Sequence, residues 1–289
     1  MLTCRSADTQ LGSALCAHAL PRTKLFTAKI STIGHLTYSI PPSDGSRAFQ
    51  RMEFDDTFGG RERNWTPDVR KVVIEDVRGN EDKYTLDIAG FQFYHRPSKH
   101  TKFQDEEKIK AEYYPECMEL IKELTGAIRV IPYNHRRLPT CPRTQSPHPR
   151  YSGRCPSSGT NDNPQICRPS SFVHVDQTTA SCIAQLQDIL PSEAPALLRN
   201  RFQNINLWRP ISNPALNCPL VLCNYRSLDL DEDIMEATFI SKLRAVPSLY
   251  VKYNPNHRWI YKSAMDPEDF VLFKKLVWMV RCFDQAMLT

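Results

Sequence analysis

Apolar residues in this chain come in short runs of strand length, each bounded by proline, glycine, asparagine or aspartate, and that rhythm restricts the fold more than any other feature. Residues 69–77 alternate, with Val72 and Ile74 on one side and Val73 on the other, before a turn at 78–82. Residues 84–94 resume a strand-like pattern around Gly90, and 127–133 reads as a short buried strand. Further strands are expected at 172–177, 204–208 and 220–223, with 250–254 and 259–261 as the arms of a hairpin around Asn254-Pro255-Asn256. The stretch 105–124 changes to a helical period, carried by Ile109, Tyr113, Met118, Leu120, Ile121 and Leu124. Its acidic start, Asp105-Glu106-Glu107, complements the helix dipole, and Gly126 is a plausible stop. Residues 181–201 read as helix interrupted at Pro191 and Pro195. The fold class is mainly β with flanking helices, a sandwich or barrel with helices packed outside.

Composition supports that reading and removes alternatives. The 22 prolines argue against a helical bundle, and 41% hydrophobic with 24% charged residues is ordinary for a globular domain. The net charge of +5 is interleaved along the chain, which gives nucleic-acid binding little support. The longest apolar stretch, 270–280, is broken by Lys274 and Lys275, so no membrane span is expected. Ten cysteines contain no C-x-x-C, and those in 138–171 fit no common zinc spacing. They read as reduced thiols of a cytoplasmic enzyme.

Residues 1–35 hold one acid, Asp8, against Arg5, Arg22, Lys24 and Lys29. A disordered extension explains this better than an organellar targeting segment. Residues 36–53 are turn-rich, and a single domain is expected over 36–289. Within it, 138–171 carries seven prolines and no periodicity, the composition of a long irregular loop.

The chain's one His-x-Asp is His174-Val175-Asp176. In a strand, residues two apart share a face, so an imidazole nitrogen and a carboxylate oxygen converge while Val173 and Val175 face the opposite layer. Two histidines and a carboxylate on one face of an octahedral ion form the set that holds non-haem Fe(II). A chance pairing of common residues gives the same tripeptide, so its surroundings decide.

Those surroundings form an ordered series: Tyr84-Thr85-Leu86-Asp87 with Gly90-Phe91-Gln92-Phe93; the helix 105–110 with Tyr113-Tyr114-Pro115-Glu116; Val173-His174-Val175-Asp176-Gln177; Ile205-Asn206-Leu207-Trp208-Arg209-Pro210; Pro219-Leu220-Val221-Leu222-Cys223; and His257-Arg258-Trp259-Ile260-Tyr261 through Pro267-Glu268 to Leu272-Phe273-Lys274. Together they resemble the fungal hydroxylase/desaturase family that includes the gibberellin desaturases and the aspergillic-acid-pathway enzymes. The resemblance covers residues 36–274. It implies a double-stranded β-helix, or jelly-roll, core. It also implies Fe(II), with 2-oxoglutarate as cosubstrate, oxidising a C–H bond of a small-molecule metabolite in secondary-metabolite biosynthesis.

Carried onto this chain, the resemblance makes His174 and Asp176 iron ligands. Gln177 and Thr178 are placed to hydrogen-bond the carboxylate. On 205–209, Ile205, Leu207 and Arg209 share one side and Asn206 and Trp208 the other; either Asn206 or Arg209 could reach an oxo-acid carboxylate. Trp259 and Tyr261 read as core aromatics. Family members continue past Leu-Phe-Lys to a distal Pro-His that supplies the third ligand, whereas the text after Lys274 reaches Thr289 without a histidine. His257 belongs to the separate His-Arg-Trp segment, and its neighbours suggest a solvent-facing turn. The C-terminal part therefore reads as truncated, and a non-catalytic jelly-roll relative that binds a ligand or partner is the alternative to an active oxygenase.

Overall fold

The computed structural model describes residues 31–51, 62–135, 137, 172–216, 219–240 and 245–275. Strand β1 (Ser31–Ile40) pairs antiparallel along its length with β3 (Thr66–Asp76). Strand β10 (Trp259–Tyr261) runs parallel to β3, and β7 (Leu222–Cys223) closes this first sheet. A second sheet orders β2 (Ala48–Arg51), β8 (Ile234–Ile240), β9 (Ala245–Val251) and β5 (His174–Val175). The third places β11 (Asp269–Lys274) between β4 (Phe91–His95) and β6 (Ile205–Trp208).

Strand alternation decides what each sheet buries. Val175, Leu249 and Val251 of the second sheet meet Tyr38, Ile74 and Trp259 of the first. The neighbours of these residues in sequence point the other way, so Ile260 and Leu222 join Phe91, Phe93 and Val271 of the third sheet. On the far side of that sheet, Phe270 and Leu272 pack with Leu207 against Leu120 of the helical layer. Phe270 and Leu272 are fully buried, and burial of one such side chain contributes roughly 1.5–3 kcal/mol before ordering costs.

The helical layer begins at α1 (Glu106–Lys108), where Asp105 caps the first turn by accepting from the N–H groups of Glu107 and Lys108. It widens into a π turn (Ile109–Tyr113) and continues as α2 (Tyr114–Thr125). The wide turn has a local cause: Pro115 has no N–H for the carbonyl of Ala111, and its ring crowds that carbonyl. The Tyr114 N–H bonds instead to the Ile109 oxygen. Gly126, at φ 70°, ends the helix in the left-handed region, as expected. Across the chain, α3 (Thr179–Ile189) and α4 (Ala194–Leu197) are separated at Pro191, and α5 (Leu230–Asp233) precedes β8.

Several expectations are corrected. Strand β1 starts at Ser31, inside the segment 1–35, and the turn-rich 36–53 contains the end of β1 and all of β2. Residues 84–90 form turns, with Gly90 at φ 85°, and the strand begins only at Phe91. Residues 127–133 are irregular, and Ile128 is 98% exposed. The segments around Asn254-Pro255-Asn256 do not form a hairpin, because β9 lies in the second sheet and β10 in the first. The hairpin is β8–β9. The expected loop 138–171, most of the extension 1–35 and the text after Lys275 lie outside the described residues.

The chain crosses between sheets at a buried polar knot. His257 bonds through Nε2 to Asp233 Oδ2 at 2.8 Å, with Nδ1 3.4 Å from the Tyr38 hydroxyl. That hydroxyl accepts from Trp259 Nε1 at 2.7 Å, and Asp233 Oδ1 accepts from Asn254 at 3.0 Å. His257 is therefore buried, not solvent-facing, because Asp233 and Tyr38 satisfy its ring inside the fold.

Candidate iron site

Strand β5 is short, but its register is firm: His174 pairs with Tyr250 and Val175 with Leu249. Val175 takes the core side, which turns His174 and Asp176 together to the other. The His174 Nδ1 lies 2.7 Å from the Phe172 carbonyl. A carbonyl only accepts, so Nδ1 carries a hydrogen and Nε2 is the atom left for a ligand. Nε2 stands 3.2 Å from Asp176 Oδ1. Asp176 Oδ2 accepts from Asn206 Nδ2 at 2.5 Å.

The electrostatics agree from both partners. Burial opposes a charged His174, yet the hydrogen bonds to Asp176 and to the Phe172 carbonyl outweigh it and hold the imidazole pKa above its ordinary value. Burial likewise pushes Asp176 up, but His174, Lys275 and Asn206 together hold it below the ordinary carboxylate range. The donor set suits a divalent ion: one nitrogen and one oxygen, 3.2 Å apart, have the spacing of neighbouring ligands each about 2.0–2.2 Å from one centre. Both side chains keep more than a third of their surface exposed, 38% and 37%, so an ion has access.

A network holds the base of the site. Gln177 Oε1 accepts from Asn204 Nδ2 at 2.8 Å and Lys275 Nζ at 3.1 Å, while its Nε2 donates to Gln185 at 2.9 Å. Lys275 Nζ also donates to the Tyr133 hydroxyl at 2.8 Å. Thr178 caps α3 by accepting from the Ser181 N–H. Gln177 and Thr178 thus brace the neighbouring helix and strand, and Asn206 is the residue that holds Asp176. Lys275 was not anticipated; a basic residue directly after a strand carries no signal until the fold places it.

The two cosubstrate candidates separate. Asn206 faces the His174–Asp176 pair. Arg209 takes the opposite face of β6 with Leu207, donates to the Pro267 carbonyl at 3.1 Å and lies 5.1 Å from the centre of the Phe270 ring. Strand alternation thus places Arg209 on the side of β6 away from the pair.

Among the described residues no third histidine joins the pair. His95 binds Asp269 and Glu268, His100 binds Glu112, His135 binds Tyr114 and Glu106, and His257 binds Asp233, while His35, which lines the same cleft, forms no three-ligand group with the pair. The one group of three metal-type side chains among these residues is His95, Asp266 and Asp269. Its charge is already matched: Asp269 holds Lys262 at 2.9 Å and Arg78 at 3.6 Å, and Asp266 Oδ1 accepts the N–H groups of Glu268 and Asp269. It serves as a structural ion cluster.

His174, Asp176 and Asn206 line a cleft of about 2500 Å³, well beyond the roughly 300–1000 Å³ of a pocket fitted to one small ligand. It is an open trough, with Val173, Trp208, Leu220 and Val221 supplying apolar wall.

A layered β fold with an imidazole–carboxylate pair opening onto an apolar trough is the arrangement that a non-haem metal oxygenase of the jelly-roll class would use. The solved structure of the iron and alpha-ketoglutarate-dependent endoperoxidase NvfI superposes with TM-score 0.67 at 20% identity over 85% of this chain and 84% of that one, giving the fold as a jelly roll. A family model described as "Oxidoreductase/YMDC permease-like domain" matches residues 36–286. The hydroxylase/desaturase efuI of Hormonema carpetanum is 33% identical over 218 residues, 71% of each chain. The hydroxylase/desaturase CTB9 of Cercospora beticola is 29% identical, over 82% of this chain and 73% of that one. The chain belongs to this family of fungal hydroxylase/desaturase oxidoreductases. No helix among the described residues is long and apolar enough to cross a membrane.

Proposed function

We propose that this chain oxidises a C–H bond of a small, largely apolar fungal metabolite, as a hydroxylase or desaturase using Fe(II), 2-oxoglutarate and dioxygen, with His174 and Asp176 as its protein iron ligands. The observation that carries this reading is His174 itself. Its Nδ1 is committed to the Phe172 carbonyl, and its Nε2 faces Asp176 Oδ1 at 3.2 Å in an accessible cleft. The relatives called alpha-ketoglutarate-dependent dioxygenase, from Talaromyces stipitatus, and Fe(II)/2-oxoglutarate-dependent dioxygenase, from Aspergillus novofumigatus, support the choice of iron and oxo acid.

Iron held by His174 and Asp176 would supply the oxidising chemistry, coupled to conversion of the oxo acid into succinate and carbon dioxide. The protein's residues do the rest. Phe172 fixes the tautomer of His174. Asn206 restrains Asp176 and leaves Oδ1 for the metal. Trp208, Leu220 and Val221 line the trough with apolar surface suited to an apolar substrate. We place the activity in the cytoplasm, on the scattered cysteines, of which Cys117, Cys182 and Cys223 are free thiols. No nucleic acid is proposed as a partner.

The test is succinate formation from 2-oxoglutarate with Fe(II), stimulated by a panel of apolar metabolites. His174→Ala and Asp176→Ala should each abolish it. Turnover that survives both substitutions overturns the assignment.

A further inference from the structure

We infer that Tyr38 is a redox-active tyrosine: it yields an electron through Trp259 to a one-electron oxidant formed in the trough and passes its phenolic proton to His257. The assignment goes beyond the proposed reaction and asks of it only that dioxygen be activated at a metal in the trough. Its use is to discharge that oxidising power when no substrate is in place, before side chains around the metal are damaged.

Position is the first argument. Trp259 lines the trough and packs in one buried cluster with Tyr38 and with Val175, the residue between His174 and Asp176. The Trp259 and Tyr38 rings lie 6.1 Å apart between centres, and the indole Nε1 donates to the phenol oxygen at 2.7 Å. On its other side Tyr38 meets Tyr253 edge-on at 5.2 Å, and Tyr253 is 36% exposed. Aromatic rings in contact thus lead from the trough to the surface.

The proton is the second argument. Asp233 is held as a carboxylate by the Asp229 N–H, Asn254 and His257. A carboxylate only accepts, so the His257 hydrogen sits on Nε2 and Nδ1 keeps its lone pair. The Tyr38 oxygen accepts from Trp259, which leaves its own hydrogen for that lone pair, 3.4 Å away. Burial pushes the Tyr38 phenol well above its ordinary pKa, so the proton does not leave alone. It leaves with the electron, because a phenol that has lost an electron is a strong acid. The oxidised indole takes one electron from Tyr38, the O–H bond breaks, and the proton forms an N–H bond at His257 Nδ1. A neutral tyrosyl radical then stands beside an imidazolium paired with Asp233. Arg70 lies 4.6 Å over the Tyr253 ring, and a cation there makes Tyr253 the harder ring to oxidise, so the radical stays on Tyr38. A soluble thiol or ascorbate returns one electron across Tyr253, and the proton moves back from His257.

The test needs no metal. Azide radicals made by pulse radiolysis oxidise tryptophan in the metal-free full chain, and the transient absorption of the indole radical should decay into that of a tyrosyl radical. Freeze-quench electron paramagnetic resonance should place the long-lived radical on Tyr38: with difluorotyrosine incorporated in its place, the spectrum gains fluorine hyperfine splitting. Tyr38→Phe should lose most of the long-lived signal, and Trp259→Phe should slow its appearance. His257→Gln separates a redox role from packing, since it keeps Tyr38 and removes the base. The signal should be lost there too, together with the slowing of tyrosyl formation in deuterated water.

Difluorotyrosine keeps the shape of the side chain, so it decides the assignment if Tyr38→Phe does not fold. An unsplit tyrosyl spectrum from the fluorinated chain, or an undiminished signal in folded Tyr38→Phe, overturns the role of Tyr38. So does the absence of any long-lived tyrosyl signal from the wild type. Because the measurement is made without metal, each of these failures leaves the proposed function standing.

Discussion

Asn206 donates from Nδ2 to Asp176 Oδ2 at 2.5 Å, so the carboxylate that faces His174 is held from behind by the neighbouring strand. Replacement by leucine keeps the volume and removes the donor. Asn206→Leu should weaken Fe(II) binding by about 10–100-fold, the range for partners of metal-binding side chains, while thermal stability changes little. Anaerobic metal titration is the measurement, and an unchanged affinity would show that Asp176 holds its orientation alone.

A pH dependence follows from His174. Its pKa in the metal-free fold lies above the ordinary 6.5, since Asp176 and the Phe172 carbonyl outweigh the effect of burial. Its contribution to stability is therefore full below the unfolded value and is lost as pH rises through the folded one. Metal binding runs the other way, because an ion needs the Nε2 proton gone. The rise in Tm on adding Mn(II), a redox-inert stand-in, should grow from about pH 6 to 8. A metal-induced rise that is flat across this range contradicts competition at Nε2.

Asp233 sits at the crossing between sheets with only 5% of its side chain exposed and His257, Asn254 and the Asp229 N–H bonded to it. Asp233→Leu strands these three groups inside the fold and should cost about 3–5 kcal/mol, as for loss of one member of a buried pair. Burial alone would raise the Asp233 pKa, but the Asp229 N–H, Asn254 and His257 hold it below the ordinary 3.8. Its stabilisation is thus complete above that value and lost as pH falls through the lower folded one. Acid unfolding followed by circular dichroism should show a steep loss below about pH 4 in the wild type that is shallower in the variant.

Phe270 links the third sheet to the helical layer, stacking on Tyr94 at 5.0 Å between ring centres and lying under Arg209. Phe270→Ala should destabilise by about 3–5 kcal/mol and loosen α2, measured as faster amide exchange over residues 114–125. Exchange confined to β11 alone would show that the helix docks by other contacts.

The sequence made some of this geometry legible and concealed the rest for physical reasons. Strand alternation correctly grouped Asn206 with Trp208 and Arg209 with Leu207, but a period of two cannot say which group faces the metal pair. The helix end at Gly126 was readable because its cause is local, a residue free to adopt φ 70°. The hairpin expected around Asn254-Pro255-Asn256 failed because a turn signal fixes a reversal and not the sheet that receives the next strand. His257 looked exposed from its neighbours, yet its surroundings are set by Asp233 and Tyr38, the latter 219 residues away. Lys275 is a comparable case, since its partners Tyr133 and Gln177 are supplied by distant segments.

The parallel pairing of β10 with β3 matches Trp259 to Ile74, and the antiparallel pairing of β11 with β4 matches Phe273 to Phe91. The N-terminal strands β2, β3 and β4 thus each receive a partner from the C-terminal half of the chain. On a ribosome adding about 5–20 residues per second, Tyr38, Ile74 and Phe91 emerge many seconds before the surfaces that cover them. Folding of this protein is therefore governed by late, long-range closure, and the yield of soluble chain in a cell will depend on how well chaperones shield that early apolar surface.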